Sequence, residues 1–360
     1  MADESRSLEE LRAAINGVDR EILKLLNERI GLVKQVGAIK GKGPIYRPER
    51  EAQLLRALIE ENEGPLGSDR IEAIFREVIS SSYQYERPLC VATLGPQGTY
   101  SQMALHRKFG TGVEASLLRS IDEVFRAVDS GAADYGLVPV ENSLEGSVGR
   151  TLDCFWGSAL NICGEIELPI HHSLLAVEGA RLESIERVYG HAQALGQSRQ
   201  WLDAHLRRPE RVAVDSSGEA IERVVSGEGC FAAVAGDLAK ELSGLASLAD
   251  NIEDFAGNTT RFLIIGDQEI PPSGEDKTTV CVQLRDQPGE LLRMLEPIQR
   301  CGVDMKRIES RPLRQESWSY LFFIDLIGHR EDPALIQVLD DIRKMAVRFK
   351  WLGSYPRHLT

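Results

Sequence analysis

Apolar residues recur along the first ninety positions at helical spacing, and no stretch there alternates as a strand would. Leu8, Leu11, Ile15, Val18, Ile22, Leu25, Leu32, Val36 and Ile39 fall on the a and d positions of a heptad. That seam predicts one helix of about 33 residues, roughly 50 Å long. Ser7 stands before it with Glu10 three positions on, the pattern of a capping box. After a turn at Gly41-Lys-Gly-Pro44, Pro48 suits the first turn of a second helix. Ser68 opens a third, with the stripe Ile71, Ile74, Phe75, Val78, Ser82, Glu86. The last two members of that stripe are polar, as though a core gave way to a pocket.

From residue 89 the period changes. Short apolar runs at 89–94, 135–140, 187–189 and 211–214 read as strands. Each empties into glycine or hydroxyl residues at a helix start: Gly95-Pro-Gln-Gly-Thr-Tyr-Ser101, Glu141-Asn-Ser-Leu-Glu-Gly-Ser-Val148, Gly190-His-Ala-Gln-Ala-Leu-Gly-Gln197 and Asp215-Ser-Ser217. Any one of these is an ordinary helix cap. Four together aim backbone N–H groups at one crevice, which suits a small anion held between two α/β lobes. Asn258-Thr-Thr-Arg-Phe262 then enters a further strand at 262–265. Residues 267–277 are polar and punctuated by Pro and Gly, the composition of a linker. Positions 278–356 read strand, helix, strand, strand, helix, strand. The chain is therefore expected to be multidomain: an all-α segment over 1–87, a two-lobed α/β segment over 88–266, the linker, and an α+β segment over 278–360.

Composition narrows the partners. A 360-residue chain that is 42% hydrophobic can bury several cores. Its formal charge of -13 argues against nucleic acid or an acidic membrane as partner. No export signal or membrane-length apolar run is evident, and six scattered cysteines without metal-ligand spacing suit reduced thiols in the cytoplasm. No metal site is expected. His171 and His172, adjacent on an expected strand, should face opposite ways and read as packing residues; His191, at a strand-to-helix junction, is the better candidate to face a substrate.

Arg29 occupies an a position between Leu25 and Leu32, where an unpaired cation costs several kcal/mol (roughly 3–5). Either a neighbouring Glu pairs with it to fix register, or an anion meets it. Lys40 lies on nearly the same face. Arg12 lies about 25 Å from Arg29 along a straight helix, too far to grip the same small molecule. The two arginines can share a ligand only if a second chain supplies its own Arg12, so the pattern asks for a helical dimer.

Arg12, Arg29, Lys40, Arg50, Glu51, Ser82 and Glu86 together resemble the pattern of the all-helical chorismate mutases. That resemblance implies an intertwined dimer and an intramolecular Claisen rearrangement of chorismate to prephenate, with no cofactor. The protein then has only to hold a dicarboxylate in a compact conformer and stabilise charge on the breaking ether oxygen. By the same resemblance Arg12 from the partner chain, Arg29 and Arg50 hold carboxylates. Lys40 contacts the ether oxygen, Glu51 takes the ring hydroxyl, and Ser82 assists at a carboxylate. Glu86 would hydrogen-bond the ether oxygen, which requires its protonated form. Arg47 stands where one branch of the family has an acid, and is left outside the site.

The middle segment resembles prephenate dehydratases through GPQGTYSQ, DYGLVPVENSLEGSV, PIHHSLL, GHAQALGQ and NTTRF, in order and over its length. The implied fold is two-lobed and similar to periplasmic binding proteins. The implied reaction is loss of CO2 and the ring hydroxyl to give phenylpyruvate, again without a cofactor. Thr260 would contact or protonate the departing hydroxyl, Arg261 completes its motif as a substrate contact, and Asn142, Ser143, Gln197 and Ser216 line the cleft. Residues 278–356 resemble the phenylalanine-responsive ACT domains, through Asp286-Gln-Pro-Gly-Glu-Leu291 and Glu309-Ser-Arg-Pro312. The implied phenylalanine contacts are Gly289, Leu291, Glu309, Ser310, Arg311 and Pro312, with Glu290 standing where a small apolar residue is usual. The partners so implied are chorismate, prephenate, phenylalanine as inhibitor, and a second copy of the chain in a homodimer or higher oligomer. Two alternatives stay open: a dehydratase that prefers arogenate, and a non-catalytic two-lobed solute-binding protein with a sensor.

Overall fold

The computed structural model describes residues 7–40, 43–313 and 319–358; the side chain of Lys40 lies outside the described part. Helix α1 (Leu8–Lys40) starts where Ser7 N donates to Glu10 Oε2 at 2.7 Å and Glu10 N donates to Ser7 Oγ at 3.2 Å. Helices α2 (Pro48–Glu60) and α3 (Ser68–Glu86) follow. Within the chain α1 packs chiefly on α3, and most of its apolar seam is left open: Ile15 is 59%, Leu25 56% and Leu32 56% exposed. Bare apolar surface on that scale exceeds what scattered surface residues account for.

A first lobe collects β1 (Cys90–Leu94), α4 (Tyr100–Phe109), β2 (Glu114–Leu118), α5 (Ile121–Asp129), β3 (Tyr135–Asn142), β4 (Gly146–Ser147), α6 (Gly149–Gly157) and β5 (Asn161–Pro169). The second holds β6 (Ser173–Ala176), β7 (Arg187–His191), α7 (Ala192–Gln197), α8 (Arg199–His205), β8 (Glu210–Val214), α9 (Ser217–Ser226), β9 (Phe231–Ala235), α10 (Asp237–Ser243) and β10 (Ala246–Ala249). The chain then returns to the first lobe as β11 (Thr259–Gly266), inserted antiparallel between β3 and β5. The sheet orders are β2-β1-β3-β11-β5, with β4 paired to β3, and β10-β6-β9-β7-β8. The backbone thus crosses between lobes twice, at 170–172 and at 250–258, and the cleft lies along those crossings.

The C-terminal part is β12 (Asp276–Gln283), α11 (Glu290–Arg300), β13 (Met305–Pro312), β14 (Tyr320–Ile327), α12 (Pro333–Met345) and β15 (Arg348–Pro356), an antiparallel sheet ordered β13-β14-β12-β15 with two helices. The segment 267–277 is not a free tether. Ile270 and Ser273 are buried, and Asp276, which starts β12, accepts from Ser273 N at 2.8 Å and Ser273 Oγ at 2.7 Å. One apolar cluster runs through both parts, joining Phe125, Phe155 and Leu263 of the first lobe to Phe323, Leu352 and Tyr355. At the same seam a Cβ on Gly353 would collide with the carbonyl of Ile162, so the backbones meet only because residue 353 has no side chain. Tyr46, between α1 and α2, is fully buried against Phe109 and Tyr135, with ring centroids 4.9 and 5.2 Å away, and ties the helical segment to the first lobe.

Charges are buried along this seam as well. Glu165 on β5 accepts from Lys277 Nζ with both oxygens at 2.8 Å, from Arg261 Nε at 2.8 Å and from His358 N at 3.2 Å. Burial alone would raise the Glu165 carboxyl; Arg261 and Lys277 outweigh it and hold the group down from 4.5 to about 2. A depressed carboxyl stabilises the fold above its unfolded value, and that contribution disappears as pH falls through the folded one. Glu165→Gln should therefore cost about 3–5 kcal/mol at neutral pH, because Lys277 and Arg261 lose their shared anion. In denaturation followed against pH, the gap between wild type and variant should close as pH falls from 4.5 towards 2. A gap of constant size across that window would show that Glu165 does not carry this charge balance.

Candidate active sites

The helical segment brings Arg29, Ser82 and Glu86 together. Arg29 Nη1 reaches Ser82 Oγ at 2.5 Å and Val78 O at 3.2 Å, and burial lowers its guanidinium from the ordinary arginine value. Glu86 lies one turn beyond Ser82 and packs against α1 at Gly37, where a Cβ would approach Glu86 Cγ to 3.3 Å. Arg12 is exposed near the far end of α1, and Arg50 is exposed on a groove lined also by Val36, Arg47 and Gln53. Lys40 ends α1, beyond the side chains described.

Glu51 does not take the place expected of it. It is buried between α2 and α3, 2.8 Å from Arg76 Nη1 and 3.6 Å from Lys108 Nζ, and accepts from Tyr83 OH at 3.5 Å. Arg76 and Tyr83 occupy the stripe of α3 next to the one that carries Ser82 and Glu86. Burial lowers Lys108 against the pull of Glu51, and an anion removed from this spot would leave two buried cations. Glu51 thus ties the helical segment to the first lobe, and the expected contact with a ring hydroxyl is withdrawn.

Between the lobes, Asn142, Thr260 and Gln197 are joined through Asn258. The amide orientations follow from donors that admit one reading. Leu144 N and Glu145 N both lie 3.1 Å from the Asn142 side chain, so Asn142 must present its oxygen to them. Its Nδ2 then donates to Thr260 Oγ1 at 2.9 Å and to Asn258 Oδ1 at 2.8 Å. Asn258 Nδ2 in turn donates to Gln197 Oε1 at 2.9 Å, which leaves His172 Nε2, also 2.9 Å from that oxygen, as a donor. His172 Nδ1 is therefore an acceptor, and Tyr100 OH, 2.6 Å from it and 2.8 Å from His171 O, shares its one hydrogen between the two. Burial lowers His172 from its ordinary value, against the hydrogen bond to Gln197, in keeping with the neutral ring this tautomer requires.

The consequence falls on Thr260. Its oxygen is engaged as an acceptor, so the hydroxyl hydrogen is free to point at whatever enters the cleft. Ser143 braces the same place: its Oγ accepts from Thr259 N at 2.9 Å. Ser216 caps α9, accepting from Glu219 N at 3.1 Å. The helix start there abuts the loop of the first lobe, since a Cβ on Gly218 would lie 2.9 Å from Gln97 O.

Arg261 is not in the cleft. Strand side chains alternate, so the residue after Thr260 points through the sheet to its other face. There Arg261 Nη1 meets Asp325 Oδ2 at 2.5 Å, Nη2 donates to Tyr355 OH at 3.0 Å, and Nε meets Glu165. Its expected substrate contact is corrected to a domain contact. His171 and His172 lie in the interlobe crossing rather than on a strand, and their side chains do diverge, His171 Nδ1 reaching Glu253 Oε1 at 2.7 Å. His191 is exposed and caps α7. Asn258, Tyr100 and Glu145 stand in the motifs quoted from the sequence without an expected role there, and His172 reads from the sequence as packing.

In the C-terminal part Gly289 has φ +84° and opens α11, a left-handed conformation that glycine adopts without strain; no atom crowds the place of its Cβ. Leu291 is exposed, while Glu290 is buried and paired with Arg293 at 2.7 Å. Gln283, Leu321 and Arg311 are successive register partners, so the loop before Gly289 and the end of β13 lie at the same end of the sheet. They lie two strands apart, roughly 10 Å. Glu309 is half-buried and Ser310 and Pro312 are exposed, but Arg311 is turned onto the first lobe, donating to Asp153 Oδ1 at 3.1 Å.

Two family models match this chain, chorismate mutase type II over residues 11–87 and prephenate dehydratase over residues 91–270. A bifunctional chorismate mutase/prephenate dehydratase of Stutzerimonas stutzeri is 48% identical across 98% of this chain and 99% of its own length. The Pseudomonas aeruginosa protein of the same description is 47% identical, across 99% of each. The crystal structure of the Arthrobacter aurescens prephenate dehydratase in complex with L-Phe aligns with a TM-score of 0.69 at 33% identity, covering 75% of this chain and 90% of that one. Relatives of that description matching end to end at 47–48% identity, with both family models matched in this chain, place it in the family of bifunctional chorismate mutase/prephenate dehydratases.

Proposed function

We propose that the mutase site is shared between two copies of the chain, that prephenate is dehydrated at the Thr260–Asn142 pair, and that the C-terminal domain is an ACT-type sensor for phenylalanine. The chain converts chorismate to prephenate and prephenate to phenylpyruvate. The observation that carries the assignment of residues is the hydrogen bond from Asn142 Nδ2 to Thr260 Oγ1 at 2.9 Å, which engages the oxygen as an acceptor and leaves the hydroxyl to donate to a ligand. Loss of CO2 pushes an electron pair into the ring and expels the hydroxyl, which needs a hydrogen-bond donor as it leaves. Thr260 provides one, and the neutral amides of Asn142, Asn258 and Gln197 keep its geometry fixed without adding charge.

For the mutase, Arg29 with Ser82 and Glu86 supplies one half of a clamp, and the exposed seam of α1 supplies the surface for a second chain. Arg12 then serves the site of the partner, and Lys40 and Arg50 complete the grip on the two carboxylates and the ether oxygen. Glu51 is left out of this site. Phenylalanine is taken to bind near Gly289 and the 309–312 segment and to lower dehydratase activity through its different affinity for two states. Cysteines that are all free thiols support a reducing compartment, the cytoplasm. Prephenate is the preferred substrate in this reading; equal or faster turnover of arogenate by the purified chain would reassign it.

Thr260→Ala should lower phenylpyruvate formation by about 10²–10³-fold while chorismate consumption stays near wild type. Loss of both activities in a folded variant would contradict separate sites. The shared mutase site has its own test. Arg12→Ala and Lys40→Ala should each be inactive as mutases. Co-refolded, half of the dimers are mixed, and in each of those one site has both groups and its twin has neither. About a quarter of wild-type mutase activity should return. No recovery from heterodimers verified by differential tags would place Arg12 outside the site.

A further inference from the structure

A cavity of ≈ 1520 Å³ lies on the reverse face of the sheet that carries Thr260. It opens where all three parts meet and is lined by Glu141, Glu165, Arg261, Lys277, Arg307 and Asp325 among others. Four of these charges form two ion pairs that strand register sets side by side. Thr260 is the register partner of Asn142, and the next pair along, Arg261 with Glu141, points to the opposite face. In the C-terminal sheet Arg307 on β13 is the register partner of Asp325 on β14. The two pairs meet face to face: Arg261 with Asp325 at 2.5 Å, and Arg307 Nε with Glu141 Oε2 at 2.8 Å. Arg307 Nη2 also donates to Ser147 Oγ at 2.7 Å, on the β3–β4 hairpin that holds Asn142 and Ser143. Each sheet shifts register at this spot, between Arg261 and Phe262 and between Met305 and Arg307, and such shifts re-aim side chains.

We propose that Glu141 and Arg261 are positioning residues for dehydration, and that Arg307 and Asp325 of the C-terminal domain hold them so that Asn142 and Thr260 stay within hydrogen-bond distance. This rests on the reading of Thr260 as the group that meets the leaving hydroxyl. Because each positioning residue is the chain neighbour of a cleft residue, tilting either strand on its reverse face moves the other face with it. The two ion pairs touch no substrate. They act on the rate of the step for which the Thr260 hydroxyl must be aimed, and leave binding of the ground state largely alone.

The test uses the full-length chain with Asp325→Asn, Arg307→Gln and the double variant, assayed for both activities. Each single substitution should lower the dehydratase kcat by about tenfold or more with KM for prephenate changed less than about threefold, and leave mutase turnover unchanged. The double variant should be no worse than about the weaker single, because both pairs brace the same two neighbouring strands, β3 and β11, and losing either brace frees them. Arg307→Lys, which keeps the charge, should recover part of the loss. Any of three results overturns the proposal: kcat within about twofold of wild type in both folded single variants, a raised KM with kcat intact, or loss of mutase and dehydratase activity together in both. Failure of the wild-type chain itself to form phenylpyruvate would instead refute the reading of the Thr260 site.

Discussion

Strand β11 has a period of two, and most of the functional architecture depends on that constraint. Thr260 and Arg261 are consecutive, so a single backbone position commits one side chain to the interlobe cleft and the next to the opposite face. On the cleft side a chain of neutral amides, Asn142, Asn258 and Gln197, ends on the Thr260 hydroxyl and engages its oxygen as an acceptor. On the reverse side a guanidinium is neutralised by Glu165 and Asp325 and buried under the C-terminal sheet. Neither face would be secure without the other. An unpaired Arg261 would pull the strand towards water, and an unbraced Thr260 would turn its hydroxyl to any nearby acceptor.

The three parts of the chain are accordingly not beads on a string. The first lobe and the C-terminal sheet share an apolar cluster that includes Phe155, Phe323 and Tyr355. The helical segment enters the same lobe through Tyr46 and through Glu51 with Arg76 and Lys108. Buried ion pairs contribute little net stability compared with apolar packing of the same volume, yet losing one partner is severe. Charges at these seams therefore specify how the parts dock more than how strongly they hold. The exposed seam of α1 is the exception to this closure.

Much of this was legible in the sequence where one short-range rule acts alone. The 33 residues of α1 follow from a heptad seam with a capping box in front of it, and both stand as read. The glycine and hydroxyl residues after the strands do begin helices in places, as Thr99 and Ser216 cap α4 and α9. What was not legible depends on partners distant in sequence. Glu51 resembled a ligand contact because nothing local showed that Arg76 and Lys108 would enclose it. Arg261 was read with Thr260 because the two are adjacent, although strand alternation, available from the sequence alone, separates them. Asn258 and His172 gain their roles from the two crossings between lobes, a feature of topology with no periodic signature. The burial of Ile270 and Ser273 was hidden by a composition that reads as linker.

The proposed division of β11 into a catalytic and a structural face is open to direct observation. A crystal structure of Thr260→Ala with prephenate bound, turnover being slowed, would show where the substrate sits. The ring hydroxyl of prephenate should lie beside residue 260 and the Asn142 amide, with Gln197 and Asn258 unmoved and Arg261 still paired to Asp325. Prephenate found instead in the cavity on the reverse face, its carboxylate on Arg261, would contradict the assignment of the two faces.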